Sequence, residues 1–257
     1  WTATRDHLIG PATAMRILVK PDKNSIEWKA VSDASAETRQ SMLSLLLSLG
    51  AIKSPWRWHV DSFYMMHFPK GRDFPEDLPS PTEEGWDNIP IAEVDAFSID
   101  DSETTEIDDA TSVTHLGNGK TRVGVHIAAP SFGIRHNDEL DKVARSRMST
   151  VYAPGLKTTM LPENWIKAYS LDEGHLVPCL SIYFTVDDET YFVEKSETRL
   201  ERVAVNRNLR YDKIDSLVTE EAILNKTLDI EYAWLKGVWQ NARAKRFLPR
   251  TQYQAFC

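Results

Sequence analysis

Cysteine is scarce in this chain. Cys179 and Cys257 are the only two in 257 residues, too few and too widely spaced for a disulfide framework or a metal-ligand pattern. Long apolar runs are missing as well. The longest, over residues 42–49, is broken by Ser44 and Ser48 and falls far short of the roughly 20 residues of a membrane-crossing helix. The first ten residues carry Asp6 and no apolar stretch of the secretory kind. No membrane partner is therefore expected, and a reducing, cytoplasmic setting is. The start on Trp1 instead of Met suggests further sequence upstream. No internal repeat or low-complexity tract is present. Basic residues are in deficit too, 30 against 38 acids, for a net charge of −8 and a pI near 5.4. Taken globally, that balance argues against nucleic acid.

The deficit is local. Residues 91–115 contain eight acids and no Lys or Arg. That run alone equals the net charge, so the rest of the chain is balanced, and a basic channel elsewhere remains compatible with RNA. Crowded carboxylates disfavour their own ionised forms unless cations neutralise them. A hard divalent cation does this economically, since Mg²⁺ is held by a few carboxylates with water and phosphate oxygens. A solvated acidic loop is the ordinary alternative. It is weakened by the apolar anchors interleaved with the acids: Phe97 and Ile99 before Asp100, and Ile107 between Glu106 and Asp108. An EF-hand is excluded. Counted from Asp100 or Asp101, Thr105 or Glu106 falls where the loop needs Gly, and Thr111 or Ser112 where it needs a bidentate Glu.

Ser98-Ile99-Asp100, then Glu106-Ile107-Asp108-Asp109-Ala110, resembles the signature of the ribonuclease II (RNB) family of 3′-to-5′ exoribonucleases. The likeness continues through Val125-His126-Ile127-Ala128, Leu140-Asp141-Lys142-Val143-Ala144-Arg145, Val151-Tyr152-Ala153-Pro154 and Met160-Leu161-Pro162. It covers the chain from about residue 95 onward and matches the N-terminal part of the family's catalytic domain.

The expected fold class is α+β: an RNB-type catalytic domain, a mixed sheet with helices, over residues 91–257. A small, mainly helical, winged-helix-like module precedes it over residues 1–68, with a Pro-rich linker over 69–90 that holds five of the 13 prolines. In the module, Asp33 or Ser35 is placed to cap a helix over residues 36–49, with Met42, Leu43, Leu46 and Leu49 as its apolar stripe and Gly50 as its stop. The aromatic segment with Trp56, Trp58, Phe63 and Tyr64 reads as core. Asn118-Gly119 signals a hairpin. Pairing outward from it sets Thr114 opposite Val123, Ser112 opposite Val125 and Asp109 opposite Ala128. Val123, Val125 and Ile127 then share one face, and Arg122 and His126 the other. His126 reads as structural. A helix over residues 138–148 turns Leu140, Val143, Ala144 and Met148 inward and leaves Lys142, Arg145 and Arg147 for phosphate or solvent. Strands are expected over 180–186 and 190–199, and a long helix over 219–247, with four bases in residues 241–250.

The resemblance implies roles. Asp100 and Asp109 would ligate Mg²⁺ or Mn²⁺, Asp108 would position or activate the attacking water, and Glu106 would support a second metal or its waters. Glu106 stands where the family usually has Asp, and Ala129 where an Asp is common. Tyr152 would stack on a base of single-stranded RNA; on the residues alone, Tyr152 reads as core. Arg145 and Arg147 are taken as RNA-binding candidates from their place on the helix. The implied activity is processive 3′-to-5′ hydrolysis to nucleoside 5′-monophosphates by a monomer. Two other readings stand beside it: an inactive RNB-fold regulator that binds RNA, and an acidic metal-binding module without RNA.

Overall fold

A computed structural model describes residues 9–69, 71–214 and Glu221. The chain divides into two compact units, Trp1–Glu76 and Asp77–Cys257. The first is helical: α1 (Pro11–Val19), α2 (Ile26–Thr38), α3 (Met42–Ser48) and α4 (Pro55–His67). Pro11 and Pro55 open α1 and α4, where a missing N–H is harmless. Ser25, Ser41 and Ser54 cap α2, α3 and α4 by accepting from the backbone N–H groups of Trp28, Ser44 and Arg57. The single helix expected over residues 36–49 is instead the end of α2 and all of α3. Arg39 adopts a left-handed conformation (φ 54°) that closes α2, and Ser41 then starts a new helix. As a result Leu45 and Leu46 are buried with Ala14, Ile17, Val31, Ala34 and Ile52, while Leu49 is exposed.

The second unit is built on a closed barrel. Its strands are β1 (Ala96–Asp100), β2 (Asp109–Gly117), β3 (Lys120–Ala128), β6 (Leu176–Asp187) and β7 (Val193–Arg210), hydrogen-bonded in the order β1-β2-β3-β6-β7. Four antiparallel pairings and a fifth, parallel pairing of β7 with β1 close this ring, so the sheet is mixed. Between β3 and β6 lie α5 (Glu139–Arg147), a small hairpin of β4 (Val151–Ala153) and β5 (Leu156–Thr158), and α6 (Glu163–Tyr169). The chain is thus α+β. The strands expected over 180–186 and 190–199 are the middles of longer ones. The helix expected over 219–247 and the bases of 241–250 lie outside the described residues.

From Asp77 onward the Pro-rich stretch is built into this second unit. Leu78 packs on the core, the Pro79 carbonyl accepts from Trp165 Nε1 at 2.7 Å, and buried Trp86 meets Tyr169 edge-on. Met148, expected to face inward at the end of α5, is 81% exposed. Its φ of 67° breaks the helical spacing that would have turned it in.

The β2–β3 hairpin forms at Asn118-Gly119, but its register differs by one residue. Val113 faces Val123, Thr111 faces Val125 and Asp109 faces Ile127, because the ladder is irregular between His115 and Gly117. Gly117, Asn118 and Gly119 all have positive φ, so the turn takes up an extra residue on one side. The faces also differ in sense from the usual apolar interior. Ile127 lies outside in line with its partners Leu180 and Leu200, all partly exposed. Fully buried His126 points into the barrel. There Ser112 Oγ lies 2.9 Å from its Nε2, and Ser181 Oγ lies 2.8 Å from its Nδ1. Gly124 makes room for this pair, since a Cβ there would collide with Ser112 Oγ and the imidazole. The His126 ring also meets Tyr183 edge-on, and the Tyr183 hydroxyl donates to Glu201. The structural reading of His126 holds, with both ring nitrogens satisfied as burial demands.

Burial pushes the His126 imidazole down to about 4, against a smaller upward pull from Glu201. In the unfolded chain it would titrate near 6.5. As pH falls from about 6.5 towards about 4, the unfolded chain therefore takes up a proton that the folded one refuses. Stability from this group is complete above that window and is lost across it, by roughly 3 kcal/mol. Denaturant unfolding at pH 7.5, 5.5 and 4.5 should show this loss in the parent. The difference should shrink in His126→Gln, which keeps polar contacts to the two serines without titrating.

Candidate active site at the barrel rim

The acidic run crosses one rim of the barrel. β1 ends on Asp100, residues 101–108 form the connection, and Asp109 begins β2. Because β1 and β2 are antiparallel, with Phe97 opposite Thr111, both aspartates emerge at the same end. The connection is held at its centre by Ile107. That side chain is 1% exposed and joins the core with Trp165, Tyr169 and Leu171. Its N–H donates to Ser170 Oγ at 3.1 Å, and its carbonyl accepts from Leu171 N at 2.8 Å. With Ile107 turned inward, its neighbours Glu106 and Asp108 are turned towards the rim. The Asp108 carbonyl accepts from Ala128 N at 2.8 Å, which ties the run to the end of β3. Arg210, at the end of β7, donates through Nη1 to the carbonyls of Asp101 and Thr104.

Asp100 is oriented by a relay. Asn208 Nδ2 donates to Ser98 Oγ at 2.9 Å and to the Leu171 carbonyl at 3.0 Å, and Ser98 Oγ donates to Asp100 Oδ2 at 2.6 Å. Asp108 and Asp109 both reach solvent, yet both carboxyls are raised above their usual range. For Asp108 the surrounding protein is the largest cause, followed by the negative charges of Glu106 and Asp109, with Lys157 opposing and Asp100 adding. For Asp109 the causes are burial and then Asp100. The acids therefore feel one another as a group. Glu106 is engaged differently: its carboxylate is ion-paired with Lys157 on β5.

The donor set fits a hard divalent cation, being all carboxylate and mutually repelling. Among the described residues, no three Asp, Glu, His or Cys side chains lie close enough together to hold a metal ion by themselves. An ion held here would complete its shell with water and phosphate oxygens, as Mg²⁺ commonly does.

Tyr152, on β4, is 70% exposed, not part of the core, with the ammonium of Lys157, opposite it on β5, 5.5 Å from its ring centroid. Gly155 (φ 69°) makes the turn that sets the two strands side by side. Arg145 pairs with Asp141 at 2.6 Å on the surface of α5, and Arg147 Nη1 donates to the Thr159 carbonyl at 3.0 Å. Arg147 thus helps to fasten α5 to the segment after β5. Sequence reasoning missed Ser98, Lys157, Ser170, Asn208 and Arg210. Only Ser98 lies within the acidic run; the others reach it from elements 50 or more residues away, and no local pattern marks them.

The RNB domain family model matches residues 90–249, more than half of the chain, and the chain belongs to that family. A curated relative, exoribonuclease 2 of Buchnera aphidicola, is 28% identical over 174 residues, covering 64% of this chain and 27% of that protein. Among solved structures, RNase R of Mycoplasma genitalium in complex with ribose-methylated single-stranded RNA superposes with a TM-score of 0.56 at 16% identity. It covers 74% of this chain and 31% of its own. Yeast Ssd1, described as a pseudonuclease, gives 0.57 at 21% identity, covering 66% and 22%. These structures share the fold. The chain spans between about a sixth and a quarter of the length of the curated relatives it matches.

The raised carboxyls have a consequence for stability. A carboxyl whose folded pKa is raised opposes folding when ionised, and this penalty is relieved as pH falls through that raised pKa. Asp108→Asn imitates the neutral form at every pH. In metal-free buffer with EDTA, the variant should melt at a higher temperature than the parent at pH 8. The gain should shrink as the buffer is made acidic. Equal melting temperatures at pH 8 would mean that the carboxylates do not repel one another as described.

Proposed function

We propose that this chain carries the acidic centre of a metal-dependent 3′-to-5′ exoribonuclease that processively hydrolyses single-stranded RNA to nucleoside 5′-monophosphates. The observation that carries the proposal is the gathering of Asp100, Asp108 and Asp109 on one barrel rim, with Asp108 and Asp109 raised in part by their neighbours' charge. Membership of the RNB family and the exoribonucleases among its relatives support the same reading. Asp100 and Asp109 would hold Mg²⁺ or Mn²⁺. Such an ion neutralises phosphate charge and acidifies a water for attack. The chain's own residues do the rest. The Asn208–Ser98 relay holds the Asp100 carboxylate in one orientation. Asp108, fixed beside the buried Ile107, orients the attacking water and accepts its proton.

Tyr152 would serve as the stacking platform, since exposed aromatic faces accept any base and suit an enzyme indifferent to sequence. Arg145 is proposed to meet the RNA backbone. Its pair with Asp141 is exposed and worth about 1 kcal/mol or less, so phosphate can compete for it. Arg147 keeps Nη1 on the Thr159 carbonyl, and its contribution to RNA binding is proposed to be the placement of α5. The composition and the lack, among the described residues, of a helix able to cross a membrane are compatible with a cytoplasmic monomer.

A second reading is an RNB-fold protein that binds RNA without cleaving it. Two observations favour it: the fold is shared with a pseudonuclease, and Glu106 is occupied by Lys157. Asp108→Asn separates the two. For the enzyme, the variant should bind a single-stranded oligoribonucleotide at least as tightly as the parent at one fixed salt concentration, while turnover falls by roughly 10²–10⁴-fold. If the parent binds RNA but neither protein releases nucleotides, the second reading stands.

Tyr152→Ala provides an independent check on the RNA path. The side chain is mostly exposed, so its removal should leave the melting temperature nearly unchanged. RNA binding should weaken by about 1–3 kcal/mol. Unchanged affinity in fluorescence anisotropy would remove Tyr152 from the binding surface.

A further inference from the structure

We propose that Lys157 is a built-in cation of this site: it takes the place a second metal ion would have at Glu106, and the centre therefore binds a single divalent ion. This inference rests on the metal-dependent reading above. Lys157 sits on β5 directly across from Tyr152 on β4. Its ammonium is held from two sides, by the Glu106 carboxylate and by the face of the Tyr152 ring. Neither partner of the ion pair is fully solvated, with side-chain exposures of 32% for Lys157 and 17% for Glu106. The pair is thus shielded more than a surface salt bridge and screened less by salt.

Arg210, another base at this rim, cannot perform this role in the same way, because its Nη1 is bonded to the carbonyls of Asp101 and Thr104. Glu106 has one methylene more than Asp, which extends its reach towards β5. Once paired, its carboxylate is withdrawn from the set open to a metal, and Asp100, Asp108 and Asp109 remain. That smaller set suits one Mg²⁺ completed by water and phosphate oxygens. The ammonium also sits between the aromatic platform and the acids.

The test counts metal ions, not turnover. The full chain is mixed with a ribose-methylated single-stranded oligoribonucleotide, and Mn²⁺ is titrated while free Mn²⁺ is read by electron paramagnetic resonance. One Mn²⁺ per chain is expected for the parent and for Lys157→Arg, which keeps the charge. Lys157→Met should release Glu106 and bind a second Mn²⁺, and the double variant Lys157→Met/Glu106→Gln should return to one. Circular dichroism melts verify that each variant is folded. Two Mn²⁺ in the parent, or one in a folded Lys157→Met, would overturn the role of Lys157 and leave the metal-dependent reading intact. No Mn²⁺ in the parent would overturn both.

Discussion

Two hydrogen bonds to its backbone, one from Leu171 N and one to the Ser170 hydroxyl, hold Ile107 in the core, and the geometry of the rim depends on them. A connection carrying this many carboxylates would otherwise expand into solvent to separate its charges. Ile107 prevents this by burying an apolar side chain between Glu106 and Asp108 while Ser170 and Leu171 satisfy its N–H and C=O. An unpaired polar backbone at that depth would cost about 1–3 kcal/mol per group, so the segment preceding β6 is required for the acids to stay together. The barrel supplies the remainder. Parallel closure of β7 on β1 brings Asn208 and Arg210 alongside Ser98 and Asp100, so the strand that completes the ring also orients one carboxylate and tethers the loop.

The site works against the stability of its scaffold. Asp108 and Asp109 are raised by their surroundings, which means that the folded chain holds them ionised at a penalty. For Asp108, Lys157 opposes this repulsion, and a bound cation would relieve more of it. A binding centre of this kind gains metal affinity from the same repulsion that weakens the apo fold. The barrel interior accommodates polarity differently: burial keeps His126 neutral at ordinary pH, and two serine hydroxyls satisfy its ring nitrogens, without any neighbouring acid paired directly to it.

Much of the rim was legible in the sequence. Acids alternating with Phe97, Ile99 and Ile107 implied a fixed backbone, and Asn118-Gly119 located the hairpin that follows. What could not be read was register and sense. One additional residue, Leu116, shifts every pair from His115 to Asp109, and period-two patterning cannot reveal such a bulge. Nor does alternation say which face is inside. Val123, Val125 and Ile127 look like a core face, yet a narrow five-stranded barrel has room for Gly124, Ser112 and a bonded imidazole, while the aliphatic face looks outward. Helix ends were similarly misplaced where a non-glycine residue takes a positive φ, as Arg39 and Met148 do. Lys157 carried no mark as a site residue, because its significance arises only when β5 is set against Glu106, 51 residues earlier in the chain.

The most direct test of the central claim is product analysis with the full chain and a 5′-labelled single-stranded oligoribonucleotide. In Mg²⁺ the account predicts successive shortening from the 3′ end with release of nucleoside 5′-monophosphates, complete arrest in excess EDTA, and recovery when Mg²⁺ or Mn²⁺ is restored. Undiminished hydrolysis in EDTA, or products bearing 3′-phosphates, would contradict the assignment of the acidic rim as a metal-dependent exoribonuclease centre.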